Sequence, residues 1–132
     1  VLGVGLYYHF ELLYKTAFGS AYKGNTSLVA FKELMSSVPQ VQTMKDQERQ
    51  ANALKSFNCR EWIGNITIPI IILSPKEDQF ATPEDASEFS TYANDVKIES
   101  IGCGHAAIAE ELDTVIDLCL KHVSDSVERL KG

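Results

Sequence analysis

Apolar positions change their period once along the chain, from helical spacing in the first half to short β-branched runs joined by helices in the second. Leu6, Phe10, Leu13 and Ala17 recur at helical spacing with Tyr7, Tyr14 and Phe18 close beside them. The pattern predicts a helix with a broad aromatic face that ends at Gly19. The cluster Asn25-Thr26-Ser27 then supplies the cap of a second helix, with Leu28, Phe31, Met35 and Val38 on one side and Pro39 as its stop. A third helix is expected from about Gln40 to Phe57, carrying Val41, Met44, Ala51 and Leu54. No strand pattern interrupts the three.

The character changes at Trp62. Ile66-Thr67-Ile68-Pro69-Ile70-Ile71-Ile72-Leu73 is continuously apolar and β-branched, which predicts a strand buried on both faces of a parallel sheet. Its end is polar, Ser74-Pro75-Lys76-Glu77-Asp78-Gln79. Thr82-Pro83-Glu84-Asp85 then supplies an N-cap, a proline at the first helical position and an acid three residues after the cap. That helix should reach Tyr92 or Ala93. Asp95 to Ile101 reads as a second strand, closed by Gly102-Cys103-Gly104-His105. From Glu111 onward Leu112, Val115, Ile116, Cys119, Val123, Val127 and Leu130 fall on one helical face. Two strands joined through a helix should be parallel, so both polar loops should emerge at the carboxyl edge of the sheet, where open α/β sheets bind ligands.

With 132 residues and 14.6 kDa the chain is the size of one ordinary domain. Hydrophobic residues at 45% and charged residues at 23% exclude a disordered or fibrous class. Residues 1–66 carry a net charge of +2 and residues 67–132 a net charge of −8. No Lys/Arg cluster offers a surface for nucleic acid or an anionic membrane. No apolar run is long enough for a transmembrane span. Cys59, Cys103 and Cys119 are odd in number and lack a C-x-x-C pair, which supports neither a disulfide framework nor a zinc ribbon and leaves the reducing cytoplasm as the default compartment. Val1 to Leu6 is apolar without an initiator Met or a basic flank, so the chain is expected to be the later part of something longer.

Candidate chemistry centres on Asp78 and His105, each just past a predicted strand and 27 positions apart. Neighbouring parallel strands would bring the two loops together. An Asp-His hydrogen bond orients an imidazole, fixes its tautomer and stabilises the imidazolium formed when the ring takes a proton from a nucleophile. Spacing alone leaves a second reading open, a solvated acid beside Glu77 and a structural histidine in a glycine turn that Gly102 and Gly104 allow to bend sharply. Cys103 fits a small buried residue better than a thiol nucleophile. Cys103, His105, Cys119 and His122 lack metal-ligand spacing, and no cofactor is implied. His9 reads as packing. Tyr7, Tyr8, Phe10, Tyr14 and Phe18 could line an apolar pocket but fit a core stripe better.

The succession of Ile66 to Pro83, Val96 to Ile101, Gly102-Cys103-Gly104-His105-Ala106 and a closing amphipathic helix resembles the C-terminal half of the α/β-hydrolase fold superfamily. Gln50 to Leu54 and Trp62 to Ile66 are similar to the helix and linker that enter its acid-bearing strand. The resemblance covers about residues 50–130. It implies an α/β fold, the C-terminal part of a three-layer α/β/α hydrolase sheet (residues 61–132), preceded by a helical lid (residues 1–60), as one incomplete domain. It also matches Asp78 to the acid and His105 to the base of a catalytic triad acting on a small apolar ester or similar acyl substrate, without a cofactor.

Two departures qualify the resemblance. Pro75 stands where the acid loop usually has glycine, and Glu77 is a substitute acid of lower rank than Asp78. The chain also has no G-x-S-x-G elbow for a nucleophile, and Ser20 in Phe18-Gly19-Ser20-Ala21 lacks both the glycine spacing and a preceding strand. Two or three parallel strands leave an unpaired hydrophobic edge, so the chain is not expected to be a comfortable monomer. Three expectations follow: an N-terminal half on the same longer chain, the same half on a separate chain, or a noncatalytic hydrolase-like subunit of an assembly.

Overall fold

The computed structural model describes residues 2–39 and 43–131, with side chains from His9 onward apart from Met44. The expected roles of the Leu6, Tyr7, Tyr8, Val41 and Met44 side chains, and the start of a helix at Gln40, lie outside the described residues.

Four helices come first: α1 (Leu2–Ala17), α2 (Ser20–Asn25), α3 (Leu28–Ser37) and α4 (Met44–Ser56). Ser27 caps α3 by accepting the Ala30 N–H at 3.2 Å. Thr43 and Asp46 form a reciprocal capping box at the start of α4. The short α2 was not expected; it occupies what pattern alone reads as a loop after Gly19. Phe10, Ala17, Phe18 and Phe31 form a buried cluster, with Leu13, Tyr14, Tyr22 and Met35 packed around it. The Phe18 ring stacks on Tyr22 at 4.4 Å and meets Phe31 edge-on at 5.1 Å. The Tyr14 hydroxyl donates to the Thr26 carbonyl at 2.6 Å, which ties α1 to the turn before α3. Phe10, Tyr14 and Phe18 are thus part of the helical core, not the wall of an open pocket. In α4, Ala51 and Leu54 face solvent, Leu54 with 75% of its surface exposed. Its helical period is real, but its apolar face is uncovered.

A turn of 3₁₀ helix (Ile63–Asn65) leads to β1 (Ile70–Pro75), followed by α5 (Pro83–Phe89), β2 (Val96–Ile101), α6 (Ala107–Glu110) and α7 (Leu112–Lys131). The strand begins four residues later than the β-branched run. Ile66 to Ile68 carry β propensity, but pairing begins only at Ile70, whose partner in the register is Val96. The strands are parallel in the register Ile70↔Val96 through Pro75↔Ile101, as the strand-helix-strand order requires. Thr82 and Asp85 make the expected capping box, with Pro83 at the first helical position, but α5 ends at Phe89 rather than Tyr92.

Side chains alternate between the faces of β1. Leu73 packs with Ile101, Cys103, Val115 and Leu118 beneath α7, while Ile72 and Ser74 face Ala86 and Phe89 of α5 across a cleft. Helices therefore flank the sheet on both sides. The sheet is narrow, and Ile70 to Leu73 are half-buried rather than enclosed on both faces. The final helix shows the same limit. Val115 is buried and Leu118, His122 and Ser126 are half-buried, whereas Leu112, Ile116, Cys119, Val123, Val127 and Leu130 are exposed. The apolar stripe read from the sequence is thus mostly outward, because two strands cover only one strip of a 20-residue helix. No helix among the described residues is long and apolar enough to cross a membrane.

Phe31 retains 1% of its surface and sits in the centre of the aromatic cluster. Phe31→Ala should lower unfolding free energy by about 3–5 kcal/mol in urea titrations. Leu54→Ala should change it by no more than about 0.5 kcal/mol. Equal effects at the two positions would show that this cluster is not what holds the helices.

Candidate active site

The parallel ladder continues past the strand ends. Lys76 N–H donates to the Ile101 carbonyl at 2.8 Å and Glu77 N–H to the Cys103 carbonyl at 3.0 Å. These bonds hold the β1–α5 loop against the β2–α6 loop, and two sequence-distant side chains meet there. His105 Nδ1 lies 2.9 Å from Asp78 Oδ2 and 3.1 Å from Oδ1.

Asp78 is nearly enclosed, its side chain 4% exposed. Its Oδ1 also accepts the N–H groups of Phe80 at 2.8 Å and Ala81 at 3.0 Å. Burial pushes the Asp78 carboxyl up, but the N–H groups of Ala81 and Phe80 and the His105 ring together outweigh burial and hold it below its ordinary value. The carboxylate is therefore ionised at neutral pH. Being acceptor-only, it requires Nδ1 of a neutral His105 to carry the proton, which leaves Nε2 with a free lone pair. The imidazole is 48% exposed, with the Phe80 ring edge-on at 5.0 Å. An anchored acid and an accessible base nitrogen can accept a proton from a bound hydroxyl and return it to a leaving group.

The other candidates separate from this pair. Glu77 turns to the helical region, where its carboxylate accepts the Ser20 N–H at 2.8 Å and the Ser20 hydroxyl at 2.9 Å. Ser20 is thus bonded to an acid rather than to His105. Cys103 is 1% exposed, and burial, reinforced by Glu110, Glu111, Asp78 and Glu77, pushes its thiol up to about 11. It is a protonated core residue at neutral pH. His122 Nε2 lies 3.3 Å from the Pro69 carbonyl, at the opposite end of β1 from His105. Cys119 is exposed, and among the described residues no three His, Cys, Asp or Glu side chains gather as a metal site. His9 is exposed beside Phe10.

A cleft of about 290 Å³ opens between β1 and α5, lined by Ile72, Ser74, Asp78, Ala81, Ala86 and Phe89. Sequence reasoning did not single out Phe80 or Glu110. Glu110 accepts the Gly104 N–H at 3.0 Å and the Gly19 N–H at 2.8 Å, and its only signal in the sequence was a place just before the final helix, where an acid reads as an ordinary start-of-helix charge. Gly104 is also needed for a reason other than the expected one. No described residue has a positive φ, but a Cβ on Gly104 would lie 2.5 Å from the Gly19 nitrogen.

No family model matches the chain, and no curated protein matches it. Solved structures do. An alpha/beta hydrolase enzyme, MGS-M2, from a Medee basin deep-sea metagenome library superposes with a TM-score of 0.64 at 22% identity, over 90% of this chain and 44% of that one. The enol-lactonase from Burkholderia xenovorans LB400 superposes with a TM-score of 0.73 at 16% identity, over 91% of this chain and 45% of that one. The chain spans under half the length of either structure. It has the α/β fold of the C-terminal portion of the α/β hydrolases.

The depressed Asp78 pKa links the site to folding. A carboxylate whose folded pKa lies below its unfolded value stabilises the protein above the unfolded value, and that contribution disappears as pH falls through the folded one. Unfolding free energy should therefore begin to drop as pH falls through about 3.8, the ordinary Asp value, and continue dropping below it. Asp78→Asn should remove part of this slope in urea titrations across the acid range. An unchanged slope would mean that the carboxylate is not held by these donors.

Proposed function

We propose that this chain is the C-terminal portion of an α/β-fold hydrolase and carries the acid and base of a triad that cleaves an ester or similar acyl bond. The observation that carries the reading is the Asp78–His105 contact at the carboxyl ends of adjacent parallel strands, within a fold shared with hydrolases. Asp78 orients His105 and stabilises the imidazolium. Nε2 takes the proton from a nucleophilic hydroxyl as that oxygen bonds to the acyl carbon, then returns it to the departing alkoxide. Water repeats the sequence to release the acid product. The reaction needs no cofactor.

The nucleophile and its oxyanion-stabilising N–H groups are assigned to a preceding N-terminal half, on the same chain or a separate one, that pairs with the open edge of the sheet. Ser20 is set aside because its hydroxyl is engaged by Glu77. Residues 1–60, with their helices, take the place of a lid, with a small apolar ester as the substrate class. The enol-lactonase is a neighbour whose name denotes cleavage of a cyclic ester, which is compatible with this class.

The test uses the protein containing both halves, assayed on short-chain aryl esters and labelled with a fluorophosphonate. His105→Ala and Asp78→Asn should each lower kcat by about 10⁴-fold in folded protein, the first with its unfolding midpoint retained and the second, which removes the acceptor that sets the tautomer, with the midpoint lowered by the lost carboxylate stabilisation. One phosphonyl adduct is expected, on a residue outside these 132. Unchanged turnover in His105→Ala would overturn its assignment as the base, and no turnover and no adduct in the wild type would favour a noncatalytic hydrolase-like subunit instead.

A further inference from the structure

The turn between α1 and α2 crosses the histidine loop at backbone distance. A Cβ on Gly104 would lie 2.5 Å from the Gly19 nitrogen and 2.8 Å from the Ala17 oxygen, and one on Gly19 would lie 2.7 Å from the Gly104 nitrogen. Only two facing glycines fit this crossing. Ala106 N–H donates across it to the Ala17 carbonyl at 2.9 Å, and the Ala106 side chain packs on the aromatic cluster. Glu110, at the end of α6, spans the same crossing. Its Oε1 accepts the Gly104 N–H and its Oε2 accepts the Gly19 N–H.

We propose that Glu110 is a positioning residue for His105: its carboxylate, held between the Gly104 and Gly19 N–H groups, fixes the histidine loop against the α1–α2 turn and so sets how the imidazole meets Asp78. The chemistry of the side chain fits this role. Two convergent N–H donors need two acceptors, which one carboxylate supplies, whereas an amide would turn an NH₂ toward one of the donors.

The two halves of the Asp-His pair also differ in how they are held. Asp78 is fixed by its own burial and by the Phe80 and Ala81 N–H groups. His105 is half-exposed and follows directly on Gly104, which lies at backbone distance from Gly19. The loop therefore depends on an outside restraint, and Glu110 bonds to the N–H one residue before the histidine. Through Gly19 the same carboxylate couples His105 to the helical region, so that a displacement of the α1–α2 turn is felt at the base. Glu77 grips the next residue, Ser20, by its N–H and hydroxyl, and the hydroxyl bond does not involve the histidine loop.

The consequence for turnover rests on the proposed hydrolase reading, but the placement of His105 is measured without turnover. Long-range ¹H–¹⁵N correlations of the His105 ring in the folded protein containing both halves, at a pH where the ring is neutral, give the ratio of Nδ1–H to Nε2–H tautomers, which the Asp78 bond sets. Glu110→Gln removes one acceptor and the charge, Glu110→Asp keeps the charge but shortens the reach, and Gly19→Ala keeps Glu110 and forces the crossing apart. Each should lower the Nδ1–H ratio by about tenfold, the scale of one charge-assisted bond. Ser20→Ala, which loses only the hydroxyl bond to Glu77, should leave it unchanged.

A wild-type ratio retained in Glu110→Gln, Glu110→Asp and Gly19→Ala, with lowered stability alone, would overturn the positioning role and leave the hydrolase reading intact. A change confined to Glu110→Gln would overturn it too, by assigning the effect to lost charge. If Gly19→Ala does not fold, Glu110→Asp carries the charge-conserving comparison. A wild-type ring without the Nδ1–H tautomer would overturn the Asp78–His105 pairing itself and the positioning role with it.

Discussion

The parallel register of β1 and β2 is the constraint on which the site depends. Pairing Pro75 with Ile101 sets the two loops side by side, and the bonds from Lys76 and Glu77 to Ile101 and Cys103 carry the ladder beyond the strands. Asp78 follows Pro75 by three residues and His105 follows Ile101 by four, so their meeting is a consequence of register. A slip of one residue would turn each side chain of the strand to the other face and separate the pair. The contact also joins residues 27 positions apart, and α5 orders seven of the residues that connect the two strands.

Acidic side chains around this edge act as acceptors for backbone N–H groups. Asp78 accepts from Phe80 and Ala81, Glu77 from Ser20, and Glu110 from Gly19 and Gly104. The negative charge of the second half is therefore partly structural. It also keeps the neighbouring Cys103 thiol protonated, since a thiolate there would be both buried and surrounded by carboxylates. The same set of bonds docks the helical region on the α/β region, through consecutive N–H groups at Gly19 and Ser20. Docking and site geometry thus share their anchors.

Elsewhere the molecule is sparsely covered. The two-stranded sheet half-buries most of β1 and leaves the stripe from Leu112 to Leu130, Val115 apart, exposed on α7. A parallel sheet normally has both faces covered and reads as buried runs, which is what the Ile-rich sequence of β1 resembles. The hydrolases that superpose on the chain are more than twice its length.

The helices, both strands and the two loops that carry Asp78 and His105 were legible because periodicity, caps and β-branched runs are local signals that survive without tertiary context. Ser27 and Thr82 cap where their side chains predict, since a cap needs only the next three residues. Strand start was not legible: Ile66 and Ile68 have the propensity of a strand, but only pairing partners decide where a ladder begins, and these start at Val96. Nor were α2 and α6, which are too short to show a period. At the site, the types of Asp78 and His105 and their places after strands stood in the sequence, whereas the turn of Glu77 toward Ser20 did not. The bridge made by Glu110 did not, because Gly19 and Gly104 are 85 positions apart and only the folded crossing makes them neighbours. Sequence by itself determined the longer helices, the two strands and the loops in which Asp78 and His105 stand; tertiary structure decided which acid meets the histidine, which faces are covered and why glycine is required, since each depends on contacts between residues far apart in the chain.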